Sequence, residues 1–349
     1  MSPTPASDHM LCSVIIVNYN GRHLLEECLT SVLAQAYPSF EVVLVDNGSS
    51  DGSAAFVRER FPDVRLVEAG ENLGFAGGNN LGVERTTGEL VVLLNNDTIV
   101  APGWLSALVE ALLPPDVACA SSLVRTEGIP DRYYEKNGSM NVLFLNIMRV
   151  FEKPENIFYG GGASLGFKRS VLGIPFDPDY FAYVEDVYLG LRARFRGFRI
   201  VHAGSSVVRH LGGATARNAA GAFVTYLQER NRVLTLFLFF SGATILRAVP
   251  YLLLSAAARV LAGCFSRRRS LSGILRAYVW LATHPRAIMG KRRTLRAERT
   301  VPDDDVLGWM TGKLLNDETR GASLVNGLSL MYCRVVGLRT IERLPPGSR

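Results

Sequence analysis

Polar side chains follow several short apolar runs, at the point where each run ends. These residues are Asn18, Tyr19 and Asn20, then Asp46 and Asn47, then Asn95, Asn96 and Asp97. If the runs are parallel strands, their carboxyl ends share one edge of the sheet, where open α/β sheets bind ligands. Amides and carboxylates at such an edge suit a nucleotide base and its ribose. The alternative interpretation is ordinary turn formation and helix capping, which also favour Asn and Asp.

Two later segments carry residues that could do acid–base or metal chemistry. Glu185 and Asp186 open a predicted helix, whose N-terminus would keep Asp186 ionised and able to act as a general base. The alternative is acidic charge that only favours the helix start. His210 ends a predicted strand in VVRHLGG, residues 207–213. An isolated histidine is usually structural, so His210 becomes a candidate metal ligand only if Asp97 is its neighbour.

The elements that must position these residues follow from hydrophobic periodicity. Apolar β-branched runs predict strands over residues 12–20, 40–46, 64–69, 90–95 and 117–125. Helical spacing of apolar residues predicts helices over residues 22–35, 53–61, 78–86 and 103–113. Strand–helix alternation with short loops predicts an α/β fold with a doubly wound, mainly parallel sheet and flanking helices. Residues 126–158 are predicted to be a long mixed loop.

The segment ENLGFAGGNNLG, residues 71–82, joins the third predicted strand to the next helix. Its glycines allow a close backbone approach, and its asparagines can bond sugar hydroxyls. It matches neither G-x-G-x-x-G nor a P-loop, which argues against a dinucleotide-dependent enzyme and a P-loop nucleotidase.

Composition narrows the class of protein further. The five cysteines are scattered without a C-x-x-C pair, which argues against a zinc site or a disulfide framework and favours a reducing compartment. The N-terminus carries no secretory signal, so we expect catalysis to face the cytoplasm. The net charge of +6 favours an anionic partner, and the mean hydropathy of +0.15 suggests membrane contact.

The sequence after residue 232 is strongly apolar and then strongly basic. Arg247, Pro250 and Arg259 interrupt the apolar run 233–263, and residues 267–299 hold ten Arg and Lys against Glu298 alone. Apolar helices beside a basic cluster suit in-plane binding to an anionic cytoplasmic leaflet. A buried helical subdomain and a spanning hairpin are the alternatives. Nucleic acid is not an expected partner, because the basic run lacks interleaved aromatic residues.

These boundaries divide the chain into four predicted regions. They are a disordered N-terminus over residues 1–10, a catalytic domain over 11–232, an apolar and basic helical membrane-associating region over 233–300, and a C-terminal tail without an assigned role over 301–349.

The motifs together resemble the inverting GT-A glycosyltransferases of family 2, in particular their rhamnosyltransferase-like branch. The matching segments lie in the expected order between about residues 12 and 213: VIIVNYNG, VVLVDNGSSDGS, NLGFAGGNNLG, VVLLNNDT, GGGASLGFKRSV and FDPDYFAYVEDVYLGLRARFRGFRIVHAGSSVVRHLGG. The resemblance implies a Rossmann-like GT-A fold. It also implies sugar transfer from a nucleoside diphosphate donor.

The resemblance implies a role for each matching residue. Asp97 and His210 would bind Mg²⁺ or Mn²⁺, and Asp186 would be the catalytic base, with Glu185 beside it. The nucleotide sugar would contact Asn18, Asn20, Asp46, Asn72, Gly74, Asn79, Asn95 and Asn96. The acceptor-side loop would contain Gly161, Gly162 and Ala163.

The sequence departs from the family pattern at two positions. Asn95 replaces the first Asp of the D-x-D motif, which leaves Asp97 and His210 as the protein ligands of the metal. Tyr188 replaces the second Asp of the usual E-D-V-D-L segment. We still expect activity, because substrate diphosphate and water can complete an octahedral site and because Asp186 is retained.

The resulting expectation is a metal-dependent inverting glycosyltransferase of cell-surface polysaccharide assembly. The resemblance favours L-rhamnose from dTDP-rhamnose as donor, with UDP-hexose and UDP-galactofuranose as alternatives. The acceptor is expected to be a saccharide, such as one carried by a polyprenyl diphosphate. The expected location is the cytoplasmic face of the cell membrane, peripheral or monotopic. A non-catalytic scaffold that binds sugar nucleotides is the alternative from another class.

Overall fold

A computed structural model of the chain describes residues 10–127, 138–148, 156–212, 221–265 and 270–343. It divides into two compact units. The first comprises Met1–Tyr134, Gly160–Glu185 and Arg199–Ala214, and the second comprises Glu135–Tyr159, Asp186–Phe198 and Thr215–Arg349. The predicted disordered N-terminus lies, except for Met10, outside the described residues, as do Arg267, Arg268 and Arg269.

Ten strands lie in the described ranges. They are β1 (Cys12–Asn18), β2 (Phe40–Asp46), β3 (Arg65–Glu68), β4 (Leu90–Asn95), β5 (Thr98–Val100), β6 (Val117–Thr126), β7 (Gly138–Met140), β8 (Asn146–Met148), β9 (Ser164–Lys168) and β10 (Arg199–His210). Strands β7 and β8 pair antiparallel within the predicted loop 126–158, so that prediction was wrong there. The other eight strands form one sheet in the first unit, in the order β3-β2-β1-β4-β9-β6-β10-β5.

The sheet is mainly parallel, as predicted. β1 runs parallel to β2 and to β4, β2 to β3, and β6 to β10. β9 lies antiparallel between β4 and β6, and β5 is antiparallel to β10 at the edge. The parallel register pairs Asn18 with Asp46 and Val17 with Asn95, so the predicted polar strand ends do lie side by side.

The helices of the first unit confirm the predicted alternation. They are α1 (Arg22–Leu33), α2 (Ser53–Arg60), α3 (Gly74–Glu84), α4 (Trp104–Leu112) and α5 (Arg169–Leu172). Side chains of α1, α2 and α4 form a buried core with one face of the central strands. Helix α3 lies so close to β1 that a Cβ on Gly82 would stand 2.4 Å from Cγ2 of Ile15.

The second unit is mainly helical. Its helices are α6 (Glu185–Phe195, of which Glu185 belongs to the first unit), α7 (Ala222–Phe239), α8 (Gly242–Phe265), α9 (Leu271–Thr283), α10 (Pro285–Ala297), α11 (Asp303–Leu307) and α12 (Ala322–Val335). Helix α8 continues through Pro250. Among the helices described, α8 alone is long and apolar enough, over Gly242–Leu261, to cross a bilayer by length and composition.

Candidate active site

The ends of β1 and β4 are joined by side-chain amides. Asn18 is fully buried, and its Oδ1 accepts a hydrogen bond of 2.8 Å from Nδ2 of Asn96. Its Nδ2 donates to Oγ of Ser49 at 3.3 Å. The two predicted amide residues are therefore in contact with each other, and Asn18 also contacts the loop after β2.

The carboxylate of Asp46 offers an unused acceptor at the same edge. Its Oδ2 accepts a hydrogen bond from the Ser49 amide at 3.1 Å, while its Oδ1 is buried and has no hydrogen-bond partner among the residues that the structure describes. A buried acceptor without a donor is costly, and it is commonly satisfied by a ligand or water. A ribose hydroxyl or a base N–H is a donor of the required kind. Asn20 lies nearby in a left-handed conformation and accepts from the Ser50 amide at 2.8 Å.

Asn47, one of the predicted polar strand-end residues, fixes the Gly/Asn segment. Its Nδ2 donates to Oδ1 of Asn72 and to the Gly74 carbonyl at 3.1 and 3.0 Å, and its Oδ1 accepts from the Leu73 amide at 3.1 Å. Gly74 has φ +72°, and a Cβ there would stand 2.4 Å from the Phe181 carbonyl oxygen. The signal for Asn47 was present, because it follows Asp46 directly.

The segment around Asn79 is helical. Helix α3 begins at Gly74, earlier than the predicted start near residue 78. Asn79 is therefore a buried helical residue, and its Nδ2 donates to the Phe75 carbonyl one turn earlier at 2.9 Å.

The predicted acceptor-side loop adjoins the end of β4. The Asn95 amide nitrogen donates to the Ala163 carbonyl at 3.0 Å, so Gly161, Gly162 and Ala163 pass beside the predicted metal-binding motif. The side-chain amide of Asn95 makes no hydrogen bond within the described part of the chain, and it remains available to a ligand.

Asp97 and His210, separated by more than a hundred residues, meet at this edge. His210 is paired with Thr98 across β10 and β5, and the Leu211 amide donates to the Asp97 carbonyl at 2.9 Å. These contacts bring Nε2 of His210 to 3.1 Å from Oδ1 of Asp97. Asp97 is 8% exposed, and the other ring nitrogen of His210 lies 3.4 Å from Oγ1 of Thr126.

The pair has a spacing that a divalent cation could use. Metal–ligand bonds of about 2.1 Å place neighbouring octahedral ligands about 3.0 Å apart. A carboxylate and an imidazole suit Mg²⁺ or Mn²⁺ when substrate oxygens and water fill the other positions. No cluster of three or more His, Cys, Asp or Glu side chains that could hold a metal occurs in the described ranges. A cation here would therefore depend on ligands from the substrate.

Cys28 is a buried cysteine next to the end of β4. Its Sγ lies 3.7 Å from the Asn95 carbonyl oxygen, and burial raises the pKa of the thiol to about 12. The thiol therefore stays protonated near neutral pH, as is typical of a buried structural cysteine.

The predicted catalytic base belongs to the second unit. Asp186 lies in the first turn of α6, and its Oδ1 accepts from the Val187 amide at 2.8 Å. Burial and the negative charge of Asp186 raise the pKa of Tyr159, a residue of the same unit. Its neighbour Glu185 is buried, and it belongs to the first unit as the last residue of the segment Gly160–Glu185.

Tyr188, at the position of the family's second Asp, is a packing residue. It is buried, and its ring meets that of Phe239 edge to face with centroids 5.2 Å apart. The sequence identified the departure from the family pattern but not its purpose, since packing between distant segments leaves no local signal.

Comparisons with known proteins agree with these features. Residues 13–173 match the family model described as glycosyl transferase family 2. The chain is 27% identical over 242 residues to an N-acetylglucosaminyl-diphospho-decaprenol L-rhamnosyltransferase of Mycobacterium tuberculosis. That match covers 59% of this chain and 78% of that protein.

Solved structures share the fold at low sequence identity. GalNAc-T7 with UDP, GalNAc and Mn²⁺ matches with a TM-score of 0.59 and 14% identity over 80% of this chain and 58% of that one. The mannosyltransferase PcManGT of Pyrobaculum calidifontis, in complex with GDP-Man and Mn²⁺, matches with a TM-score of 0.52 and 20% identity over 99% of this chain and 90% of that one.

Proposed function

This chain belongs to the family 2 GT-A glycosyltransferases, and from that premise we propose that it transfers L-rhamnose from dTDP-rhamnose to a lipid-linked saccharide with inversion. The reaction would serve cell-surface polysaccharide assembly. The observation that carries the metal-dependent mechanism is the meeting of Asp97 and His210 at the carboxyl edge of the sheet, 3.1 Å apart.

The donor nucleotide would lie along the ends of β1, β2 and β4. The free Oδ1 of Asp46 would accept a hydrogen bond from the base or ribose. The half-exposed ring of Tyr19, between Asn18 and Asn20, could stack on the base. Asn95 would bond the sugar-diphosphate side, where its neutral amide adds no charge.

Asp97 and His210 would hold Mg²⁺ or Mn²⁺ against the donor diphosphate. When bound, the cation neutralises charge on the leaving nucleoside diphosphate. The protein supplies one negative charge at this point, because Asn95 stands where the family has an Asp.

Asp186 would act as the general base in a single displacement. Its carboxylate takes the proton from an acceptor hydroxyl, and the hydroxyl oxygen bonds to the anomeric carbon as the bond to the diphosphate oxygen breaks on the opposite face. The configuration of the anomeric carbon is thereby inverted. The position of Asp186 at the start of α6 supports this role, because a helix N-terminus favours the ionised carboxylate.

The choice of rhamnose and of a lipid-linked acceptor is supported by the M. tuberculosis relative, whose name states both. A location at the cytoplasmic face of the membrane, peripheral or monotopic, is supported by apolar α8 and by the basic residues of 267–299.

The test is a panel of nucleotide sugars, each measured for thermal stabilisation of the protein with and without Mn²⁺. A donor at about 100 times its Kd should stabilise the chain by about 2.7 kcal/mol. We expect dTDP-rhamnose to stabilise most, and only with the cation, and to be the donor that supports transfer. Stronger stabilisation by UDP-hexose or UDP-galactofuranose would reassign the donor. Stabilisation and transfer that are indifferent to Mg²⁺ and Mn²⁺ would remove the metal from the mechanism.

A further inference from the structure

Helix α12 has the reverse of the polarity expected in a water-soluble protein. The side chains that it buries are small or polar: Ala322, Asn326, Ser329 and Cys333. The side chains that it exposes are largely aliphatic: Leu324, Val325, Leu328, Met331 and Val335. Surface helices normally turn their apolar stripe inwards. The exposed side of α12 is therefore suited to an apolar environment.

Helix α8 shows the same reversal. It buries Thr244, Ala248, Tyr251 and Ser255, at helical spacing. It exposes four leucines on another side: Leu246, Leu253, Leu254 and Leu261.

The two helices are joined through their polar sides. The Tyr251 hydroxyl lies 2.7 Å from both the carbonyl oxygen and Oγ of Ser329, and the rings of Tyr251 and Tyr332 meet edge to face. The Tyr332 hydroxyl donates to the Arg247 carbonyl at 3.0 Å. Hydrogen bonding is thus concentrated at the contact, and the leucines are left outside it. We call the exposed aliphatic residues of α8 and α12 the aliphatic face.

We propose that the aliphatic face inserts into one leaflet of an anionic bilayer. Helix α12, in the tail without an assigned role, is then half of the membrane anchor. This inference deepens the membrane location proposed above and rests on it.

Charge favours lipid over a second copy of the chain as the occupant. Neither α8 nor α12 contains an Asp or Glu, while the exposed residues Arg247 and Arg334 lie on them. Two copies meeting through these helices would bring like charges together. Anionic headgroups would instead attract the arginines at the border of the aliphatic face.

Length favours insertion into one leaflet over crossing. Helix α12 has 14 residues, about 21 Å, whereas a hydrocarbon core of about 30 Å requires about 20 residues. Helix α8 is long enough to cross, but Tyr251 holds one of its sides against α12. The pair therefore suits a position in the plane of the interface.

The first experiment measures flotation of the full chain with vesicles of phosphatidylglycerol and phosphatidylcholine. Leu328→Asp should weaken binding at least tenfold. Leu113→Asp is the matched control, because Leu113 lies in the first unit and both leucines are 57% exposed; it should bind like wild type. Met331→Asp, on the same side of α12, should repeat the effect of Leu328→Asp.

A second experiment distinguishes insertion into one leaflet from crossing. Cys264, near the end of α8, is the exposed member of the five cysteines and accepts a fluorophore directly. A second labelling site is Ala243→Cys, made together with Cys264→Ser, because Ala243 is exposed near the start of α8. After the protein is added to preformed vesicles, external dithionite should bleach both labels. Protection of either label would show that α8 crosses.

Equal vesicle binding by wild type, Leu328→Asp and Met331→Asp would overturn the inference. So would a lipid-free dimer that Leu328→Asp dissociates, if the protein does not bind vesicles. Sugar transfer to a water-soluble acceptor is measured separately, because that activity does not require membrane binding and so tests catalysis independently of the anchor. Transfer without vesicle binding refutes the anchor alone, and Leu328-dependent vesicle binding without donor binding refutes the catalytic proposal alone.

Discussion

The contact between Asp97 and His210 has two physical interpretations, which a substitution can separate. It is an ion pair when the imidazole is protonated, or two metal ligands when a cation is bound. Asp97→Asn keeps the shape of the side chain but removes its charge. We expect the half-saturating Mn²⁺ concentration to rise at least about tenfold, because loss of even a supporting residue costs about 10–100-fold in metal affinity. Electron paramagnetic resonance of free Mn²⁺, with donor present, measures this directly.

His210→Ala should raise the half-saturating Mn²⁺ concentration in the same way. His23→Ala is the control, because His23 is an exposed histidine in the same unit. If both Asp97→Asn and His210→Ala bind Mn²⁺ like wild type, the contact is only an ion pair.

Asp186 gives a second prediction at this scale. Asp186→Asn should lower kcat by about 10²–10⁴-fold, the usual contribution of general-base catalysis, and leave donor affinity unchanged. Sugar-transfer assays quenched at fixed times give kcat, and calorimetric titration with the donor gives its Kd. Asp63→Asn, at an exposed carboxylate, should change neither. A loss below about tenfold at position 186 would argue against proton abstraction by this residue.

Much of the first unit could be predicted from the sequence, because its elements are local. The β-branched runs of β1, β2 and β4 and the helical spacing in α1 determine those elements within a few residues. The polar strand ends then meet, since parallel strands share an edge. Antiparallel β9 could not be predicted in the same way, because its partners β4 and β6 are set by pairing between distant segments.

In the Gly/Asn segment, the predicted start of the helix was wrong, because α3 begins at Gly74 and not near residue 78. Its glycines were interpreted as allowing close approach, and in the structure Gly78 and Gly82 allow it between α3 and β1. The early start of α3 depends on Asn47, which lies at the end of β2. Its side chain hydrogen-bonds Asn72 and Leu73, the two residues that precede α3. A prediction from the segment alone has no access to such a contact.

A buried charge network joins three helices of the second unit and gives an element-scale prediction. Glu229 of α7 contacts Arg232 at 2.6 Å, Arg259 of α8 at 2.9 Å and Tyr278 of α9 at 2.7 Å. Glu229→Gln leaves buried Arg232 and partly buried Arg259 without the negative charge of Glu229, which costs about 3–5 kcal/mol. We expect hydrogen exchange in α7, α8 and α9 to accelerate by on the order of 100-fold or more.

Mass spectrometry of peptides from those helices measures the exchange. Glu68→Gln is the control, because its ion pair with Arg58 is about half exposed and such pairs contribute little. Unchanged protection of α7, α8 and α9 in Glu229→Gln would mean that the network does not hold them together.

The same network predicts a dependence on pH. Burial alone would raise the pKa of Glu229, but Arg232 and Arg259 more than offset it, so the pKa lies below its ordinary value of 4.5. A lowered carboxyl pKa contributes stability that is present above the ordinary value and is lost as pH falls through the lowered one. Protection of α7, α8 and α9 should therefore fall below about pH 4.5. In Glu229→Gln this step should be absent.

At the scale of the whole molecule, membrane binding should have an electrostatic and an apolar component. The net charge is +6, and residues 267–299 contain ten Arg and Lys but a single acidic residue, Glu298. Raising salt from 0.1 to 1 M shortens the screening length from about 10 Å to about 3 Å. Affinity for phosphatidylglycerol vesicles should therefore fall at least about tenfold, while the contribution of the aliphatic face persists.

The residual affinity at 1 M salt should equal the affinity for neutral phosphatidylcholine vesicles, which should not depend on salt. Arg293→Gln with Arg296→Gln, two exposed residues of α10, should weaken binding at low salt only, whereas Leu328→Asp should weaken it at both salt concentrations. Vesicle flotation across a salt series measures all four cases. Complete loss of binding at high salt would mean that charge is the sole attraction to the membrane. The aliphatic face would then make no contact with lipid. Binding that is insensitive to salt would remove the basic cluster from membrane recognition.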